Sequence, residues 1–141
     1  MKEWKTCLQN YVNFKGRARR REYWMFLLVN FIVYMLFSMM IYLLSKELGT
    51  MTENLLGDGM DMMTAYIYLG VSAVLSLYSL AMVIPGFAVL FRRLHDIGKS
   101  GVWILIVLVP IAGFIILLVF LLTDSQAGEN KYGPNPKEEQ K

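Results

Sequence analysis

The chain has 141 residues, of which 56% are hydrophobic, and a formal net charge of +3 at pH 7. Its mean hydropathy is +0.45. This length allows one domain, and this hydropathy exceeds what a soluble globular protein needs. The single cysteine, Cys7, excludes an intramolecular disulfide bond and a cysteine zinc cluster.

The first 22 residues are predicted to begin with a short amphipathic helix. Five apolar residues have the helical spacing i, i+3, i+4, i+7 and i+8: Trp4, Cys7, Leu8, Tyr11 and Val12. A helix of this kind either lies in the membrane interface, with its lysines reaching outward, or packs on the cytoplasmic ends of membrane helices. Gly16 then predicts a turn, and a second helix is expected to begin near Arg17.

Three runs without any charged residue or histidine follow, at residues 23–45, 62–91 and 102–123. Each is longer than the roughly 20 residues with which an α-helix crosses a bilayer. A buried soluble bundle is disfavoured because it would show polar residues every three or four positions. The predicted fold class is therefore all-α: an integral membrane protein with three transmembrane helices preceded by a short amphipathic interfacial helix.

The distribution of basic residues predicts the orientation. Ten Lys and Arg lie before the first run or between the second and third, whereas four lie elsewhere: Lys46, Lys131, Lys137 and Lys141. Because Lys and Arg near span ends resist translocation, we expect a cytoplasmic N-terminus, and three crossings then place the C-terminus outside. The expected organisation is a cytoplasmic basic segment (1–22), a three-helix membrane domain (23–123) and an extended extracytoplasmic polar tail (124–141).

Glycine, proline and serine residues predict the ends and bends of the helices. Pro85 is expected to kink the second membrane helix, and Gly98 to cap its end. Ser100 is placed to cap the third helix, which Pro110 should bend. The loop between the first two runs contains Asp58 and Asp61 and is expected to form a solvated acidic turn.

A catalytic role is not expected. His95 and Asp96 form the one acid–base pair worth considering, but adjacent helical residues point about 100° apart and cannot orient each other. The sequence offers no second histidine and no serine nucleophile with an oxyanion arrangement, so we predict no enzyme activity, no metal and no cofactor. Gly98-Lys99-Ser100 lacks the earlier glycine and the strand of a phosphate-binding P-loop.

The basic residues at the cytoplasmic ends of the helices are the candidate binding site. They could meet at one rim that attracts anionic lipid or a protein partner, or they could act only as a topology signal. Nucleic acid is not an expected partner, because only charge supports it. The candidate residues are Arg17, Arg19, Arg20, Arg21, Arg92, Arg93 and Lys99.

An oligomeric pore or transporter subunit is the alternative. Small residues line one face of the second run: Ala65, Ser72, Ser76 and Ser79. Such a face favours helix packing, here against the first run near its amide residue Asn30 or against the third near Gly113. A monomeric transporter is disfavoured because the apolar runs contain no ionisable residue of the kind that coupled transport uses.

Three segments, in this order and spacing, resemble the YhaH-like family of small bacterial inner-membrane proteins, a domain of unknown function. They are NYVNFKGRARRREYW at 10–24, FRRLHDIGKSG at 91–101 and GENKYGPNP at 128–136. The resemblance covers nearly the whole chain. It implies a bacterial inner membrane and three spans, and it supplies no activity.

Overall fold

The computed structural model describes residues 2–56 and 62–138. Its helices are α1 (Lys2–Gln9), α2 (Arg20–Leu56), α3 (Met62–Asp96), a 3₁₀ helix (Gly101–Leu108) and α4 (Ala112–Leu122). The described residues contain no strand, only an isolated β-bridge between Asn130 and Gly133. The all-α prediction is therefore confirmed. The predicted acidic turn at Asp58 and Asp61 lies outside the described residues.

The first two apolar runs form long helices, as predicted. The apolar parts of α2 and α3, Arg20–Glu47 and Ala65–Asp96, have 28 and 32 residues and are long and apolar enough to cross a membrane. Large apolar side chains along both are exposed, among them Leu36 and Leu77. Exposed apolar surface of this extent needs apolar surroundings, which for a helix of this length a bilayer provides.

The third apolar run, for which the sequence predicts one helix bent at Pro110, is not one helix, and a third transmembrane helix is not confirmed. It is divided into the 3₁₀ helix and α4, which Pro110 and Ile111 separate. Ile111 has φ +61° and ψ −62°, and the Ala112 N–H donates to the Pro110 carbonyl at 2.6 Å. This is the geometry of a γ-turn, which reverses the chain where the sequence predicted a bend.

The two short helices form an antiparallel hairpin. The rings of Trp103, near the start of the 3₁₀ helix, and Phe120, near the end of α4, meet edge to face with centroids 5.6 Å apart. At the closed end, a Cβ on Gly113 would lie 1.7 Å from the Ile106 carbonyl oxygen. Only glycine permits this approach of the two backbones.

The chain forms two compact units, one of Val29–Met82 and one of Met1–Leu28 with Val83–Lys141. In the first unit, the Tyr78 hydroxyl donates to the Asn30 side-chain oxygen at 2.8 Å. The rings of Tyr34 and Tyr78 lie edge to face with centroids 5.9 Å apart. The amide that the sequence placed within the first apolar run thus contacts a tyrosine of α3.

In the second unit, α1 packs against the start of α2. Cys7 is fully buried, and its Sγ lies 3.6 Å from the Glu22 carboxylate. The helix ends at Gln9, so Tyr11 and Val12 fall beyond it, and Val12 is 69% exposed. Gly16 has φ +85°, which confirms the predicted turn, and α2 begins at Arg20, three residues after the predicted start.

Candidate functional site

Asp96, the last residue of α3, is the centre of a buried charge cluster. Its carboxylate accepts hydrogen bonds from Arg17 Nε at 3.1 Å and from Arg93 Nη1 at 2.6 Å. The Ser125 hydroxyl donates to the same carboxylate at 2.6 Å. All three charged side chains are at most 1% exposed. A buried carboxylate is stable only with such partners, because it has lost its hydration. Below, Arg17, Arg93 and Asp96 are called the arginine–aspartate cluster.

Arg17 joins the N-terminal segment to the C-terminal tail. Its Nη1 donates to the carbonyl oxygens of Gly128 at 2.7 Å and Gly133 at 3.2 Å. Its Nη2 donates to the carbonyl oxygens of Gln126 at 2.5 Å and Asp96 at 3.3 Å. With the Nε bond to Asp96, all five guanidinium N–H groups have acceptors. The expectation that the tail is extended is therefore corrected: it folds against Arg17.

Arg93 binds the end of α4. Its Nε and Nη2 donate to the Leu121 carbonyl at 3.4 and 3.3 Å, and Nη2 also donates to the Thr123 carbonyl. The last carbonyls of a helix have no hydrogen-bond partner inside the helix and carry partial negative charge. A guanidinium there supplies both the missing donor and a positive charge. Arg93 thus fixes the end of the hairpin beside the end of α3.

These contacts join the N-terminal segment, the end of α3 and the tail directly. Two backbone bonds reinforce the contact: Ala18 N–H donates to the Arg92 carbonyl, and Gln126 N–H to the Asp96 carbonyl, each at 3.0 Å.

The connection between α3 and the hairpin has the caps that the sequence predicted. Gly98 has φ +75°, and its N–H donates to the His95 carbonyl at 3.0 Å, while Lys99 N–H donates to the Leu94 carbonyl at 3.0 Å. This pair of bonds is a Schellman motif, which ends α3. The Ser100 side chain accepts a hydrogen bond from Val102 N–H and caps the 3₁₀ helix.

Arg92 forms a second buried ion pair, which sequence reasoning missed. Its Nη1 lies 2.7 Å from a Glu22 carboxylate oxygen, and the two side chains are 5% and 12% exposed. The residues are 70 positions apart, so no local pattern could have paired them. Arg92 Nε and Nη2 have no hydrogen-bond partner among the described residues.

The other four candidate residues lie at the periphery. Arg20 is 44% exposed and lies 3.2 Å from Asp124, whereas Arg21 is 76% exposed and lies 3.0 Å from Glu3. Arg19 donates to the Pro136 carbonyl. The Lys99 ammonium lies over the rings of Trp103 and Phe120, at 5.1 and 5.5 Å from their centroids. The seven predicted residues therefore divide into three that are buried and four that are not.

His95 and Asp96 have separate surroundings. The His95 ring stacks on Tyr132 with centroids 3.8 Å apart, whereas Asp96 is occupied by Arg17, Arg93 and Ser125. Within the described part of the chain, no group of three His, Cys, Asp or Glu side chains is placed to hold a metal ion.

Two long helices with exposed apolar side chains, tied at one end by buried ion pairs, define a small helical membrane protein. A family model described as "Protein of unknown function (DUF805)" matches residues 11–134, and the chain belongs to this family. It is 41% identical to the inner membrane protein YhaH of Escherichia coli K12 over 130 residues, 92% of each chain. It is 40% identical to YhaI of the same strain over 132 residues, 94% of this chain and 92% of YhaI. No solved structure matches the chain. The resemblance stated from the sequence is confirmed.

Replacement of Asp96 by Asn should destabilise the protein strongly. It would leave Arg17 and Arg93 buried without a counter-charge, a loss that costs about 3–5 kcal/mol in comparable sites. The decrease in the free energy of unfolding can be measured by adding SDS to the protein in a mild detergent. Asp124→Asn is the matched control, because that carboxylate is 55% exposed and its loss should cost less than about 1 kcal/mol. Equal effects of the two changes would contradict the central role of Asp96.

Cys7 should be nearly unreactive in the folded protein. Burial, with the nearby Glu22 carboxylate as the second cause, raises the pKa of the thiol to about 12. At pH 8 the thiolate fraction is then about a thousandfold or more below that of an ordinary cysteine, and alkylation by iodoacetamide should slow accordingly. Because the folded-state pKa is the higher one, the stability that the neutral thiol contributes is present below about pH 9 and is lost as the pH rises toward 12.

The control for this measurement is a Cys7→Ser, Val12→Cys chain, since Val12 is exposed. Its new thiol should react at an ordinary rate. Reaction of Cys7 in the folded protein at the same rate as this control would contradict the burial of the α1 face.

Proposed function

We propose that the protein is a non-catalytic protein of the bacterial inner membrane whose basic cytoplasmic face binds anionic lipid headgroups. In this proposal α2 and α3 cross the membrane, the hairpin of the 3₁₀ helix and α4 enters it and returns, and both termini lie in the cytoplasm. The observation that carries it is the binding of Arg17 to Asp96 and to three carbonyls of the tail. This contact supports a placement of the N-terminal segment, the end of α3 and the tail on one side of the membrane.

The basic residues support this orientation. Of the 14 Lys and Arg, thirteen belong to the unit of Met1–Leu28 and Val83–Lys141. The remaining one is Lys46. With the tail on the same side as the N-terminus, the charge asymmetry becomes thirteen against one, instead of the ten against four that three crossings would give. The positive-inside rule then assigns this side to the cytoplasm.

The dimensions of the hairpin support a segment that enters the bilayer without crossing it. The 3₁₀ helix has 8 residues and α4 has 11, so their lengths are about 16 Å each. This is about half of the roughly 30 Å hydrocarbon thickness. Leu108 and Ile111 at the closed end are 78% and 80% exposed. Three N–H groups of the turn, those of Val109, Ala112 and Gly113, donate to carbonyls within the hairpin, which lowers the cost of placing the turn in lipid.

Paired basic and aromatic residues support contact with headgroups. Arg20 lies one helical turn before Trp24 in α2, and the Lys99 ammonium lies over the Trp103 ring. Both indoles are partly exposed, at 38% and 42%. Tryptophan is enriched at the membrane–water interface, and basic residues beside it attract anionic lipid at about 1 kcal/mol each.

The inner-membrane location rests on the relatives, YhaH and YhaI, whose names describe them as inner membrane proteins. The non-catalytic role is supported by Asp96, which is buried among its arginine partners. No observation favours the pore. The Ser72, Ser76 and Ser79 hydroxyls donate to carbonyls of their own helix, an arrangement that suits an apolar environment as well as a pore.

The topology can be tested with single cysteines in a Cys7→Ser chain. Glu129→Cys in the tail should react with a membrane-impermeant maleimide only after spheroplasts are lysed. Lys46→Cys, after the first apolar run, should react in intact spheroplasts. Labelling of Glu129→Cys in intact spheroplasts would place the tail outside and reject the proposed orientation.

Lipid binding can be tested by native mass spectrometry after release from bilayers of equal phosphatidylglycerol and phosphatidylethanolamine. Replacement of Arg20, Arg21 and Lys99 by Gln should lower retention of phosphatidylglycerol by about fivefold for each charge removed. Arg21→Gln and Lys46→Gln form a matched pair, because each removes one positive charge and the two residues lie on opposite sides of the membrane in this proposal. The proposed function fails if the two lose phosphatidylglycerol equally, or if the triple variant retains it unchanged.

A further inference from the structure

A polar cavity of about 310 Å³ lies within the unit of Met1–Leu28 and Val83–Lys141, where three segments of the chain meet. Its walls come from α1 and the loop after it, from the facing ends of α2 and α3, and from tail residues 132–136. A cavity of this size is at the lower end of the range of small-molecule sites. It is separate from Arg20, Arg21 and Lys99, none of which lines it.

Arg92 lines this cavity and has hydrogen-bond donors that no described residue accepts. Its side chain is 5% exposed, and Nη1 is paired with Glu22, but Nε and Nη2 have no partner among the described residues. A buried donor without an acceptor costs about 1–3 kcal/mol, and more when it belongs to a charged group. Two adjacent guanidinium N–H groups without acceptors form the fork that binds two oxygens of a carboxylate or phosphate. Each nitrogen has less than 1 Å² of accessible surface here, so the Arg92 side chain must shift toward the cavity to bind them.

The charge of the lining indicates an anion. Three cations line the cavity, Lys15, Arg17 and Arg92, against one carboxylate, Glu22, which Arg92 already neutralises. Arg17 contributes charge only, since its N–H groups bind Asp96 and backbone carbonyls. With Arg92 paired to Glu22 and Arg17 to Asp96, Lys15 is the lining cation without a carboxylate partner among the described residues. This favours an anionic ligand with several acceptor oxygens.

The neutral lining residues can supply further donors. Asn10 and Asn13 each use one amide hydrogen, toward the Thr6 carbonyl and the Asn10 side-chain oxygen. A side-chain amide has two, so each retains one donor without an acceptor among the described residues. Both residues line the cavity. Donors from amides, a guanidinium and an ammonium around one space are the set that phosphate oxygens accept.

The geometry points to a phosphate-binding site in this cavity, in which Arg92 Nε and Nη2 and the Lys15 ammonium bind the phosphate oxygens. The phosphate group belongs either to a lipid headgroup or to a small water-soluble phosphate compound. Because α1, α3 and the tail all line the cavity, a bound phosphate would also hold the tail against the N-terminal segment. The inference does not depend on lipid binding by Arg20, Arg21 and Lys99.

The test is the thermal midpoint of the full-length protein in a mild detergent without phosphate, measured against inorganic phosphate, glycerol 1-phosphate and a short-chain phosphatidylglycerol. Saturable ligands of the folded state raise the midpoint in proportion to ln(1 + [L]/Kd). A response to the first two identifies a soluble phosphate compound, and a response to the lipid alone identifies a headgroup. Acetate at equal ionic strength is the anion control.

Two variants on exposed residues keep the test independent of folding. Lys15→Gln removes a cation of the cavity, and Asn13→Asp adds a carboxylate to it. Both residues are exposed, so neither change should unfold the protein. We expect Lys15→Gln to weaken the response about tenfold in ligand concentration and Asn13→Asp to abolish it. Lys5→Gln, an exposed lysine of α1 that does not line the cavity, should respond like the unchanged protein.

The inference is overturned if none of the three phosphate ligands raises the midpoint saturably, or if acetate does so equally. It is also overturned if Lys15→Gln, Asn13→Asp and Lys5→Gln respond alike. A chain with Arg20, Arg21 and Lys99 all replaced by Gln separates the two proposals. If it loses phosphatidylglycerol retention but keeps the phosphate response, both proposals hold. Loss of the phosphate response instead assigns phosphate to Arg20, Arg21 and Lys99 and rejects the cavity.

Discussion

The buried carboxylate of Asp96 is the constraint on which the rest of this unit depends. One carboxylate between Arg17 and Arg93 leaves one positive charge in excess in a buried site. That charge is spread over carbonyl oxygens: those of Gln126, Gly128 and Gly133 for Arg17, and those of Leu121 and Thr123 for Arg93. Backbone carbonyls are strong acceptors for guanidinium groups away from water. The cluster is therefore satisfied only when the N-terminal segment, the end of α3, the end of α4 and the tail are all in place.

The same cluster accounts for the path of the third apolar run. Arg93 holds the end of α4 next to the end of α3, and only four residues, 97–100, separate α3 from the 3₁₀ helix. Both ends of the run are thus fixed at one place, and the run has to reverse. The reversal occurs at Pro110 and Ile111, and the closed end is narrow enough that Gly113 contacts the Ile106 carbonyl. A continuous helix would be equally compatible with the hydrocarbon core of a bilayer, but it would place Thr123 about 30 Å from Arg93.

The basic residues have two distinct environments, although the sequence presents them as one group. Arg17, Arg92 and Arg93 are buried and hold segments together, and of these Arg92 alone has N–H groups, on Nε and Nη2, without acceptors in the described part of the chain. Arg20 and Arg21 are exposed, and ion pairs with an exposed member, here with Asp124 and Glu3, contribute little. Electrostatic attraction to a membrane surface needs charges in contact with water and headgroups, whereas recognition of a single anionic group needs desolvated, preorganised donors. The proposed lipid face and the proposed phosphate site therefore use different residues.

The sequence by itself determined what local physics controls. Long uncharged runs predicted α2 and α3, because helix length against bilayer thickness needs no tertiary information, and Gly16, Gly98 and Ser100 marked a turn and two caps because their roles are local. The three segments that resemble the family also led to the family to which the chain belongs. Tertiary structure alone decided the pairs Arg17–Asp96 and Glu22–Arg92, which are 79 and 70 residues apart, and with them the hairpin and the place of the tail. Run length could not distinguish a span from a hairpin, because residues 102–123 are apolar in both cases. The difference lies in where Arg93 and Asp96 find their partners, and long-range pairing of this kind leaves no periodic pattern in a sequence.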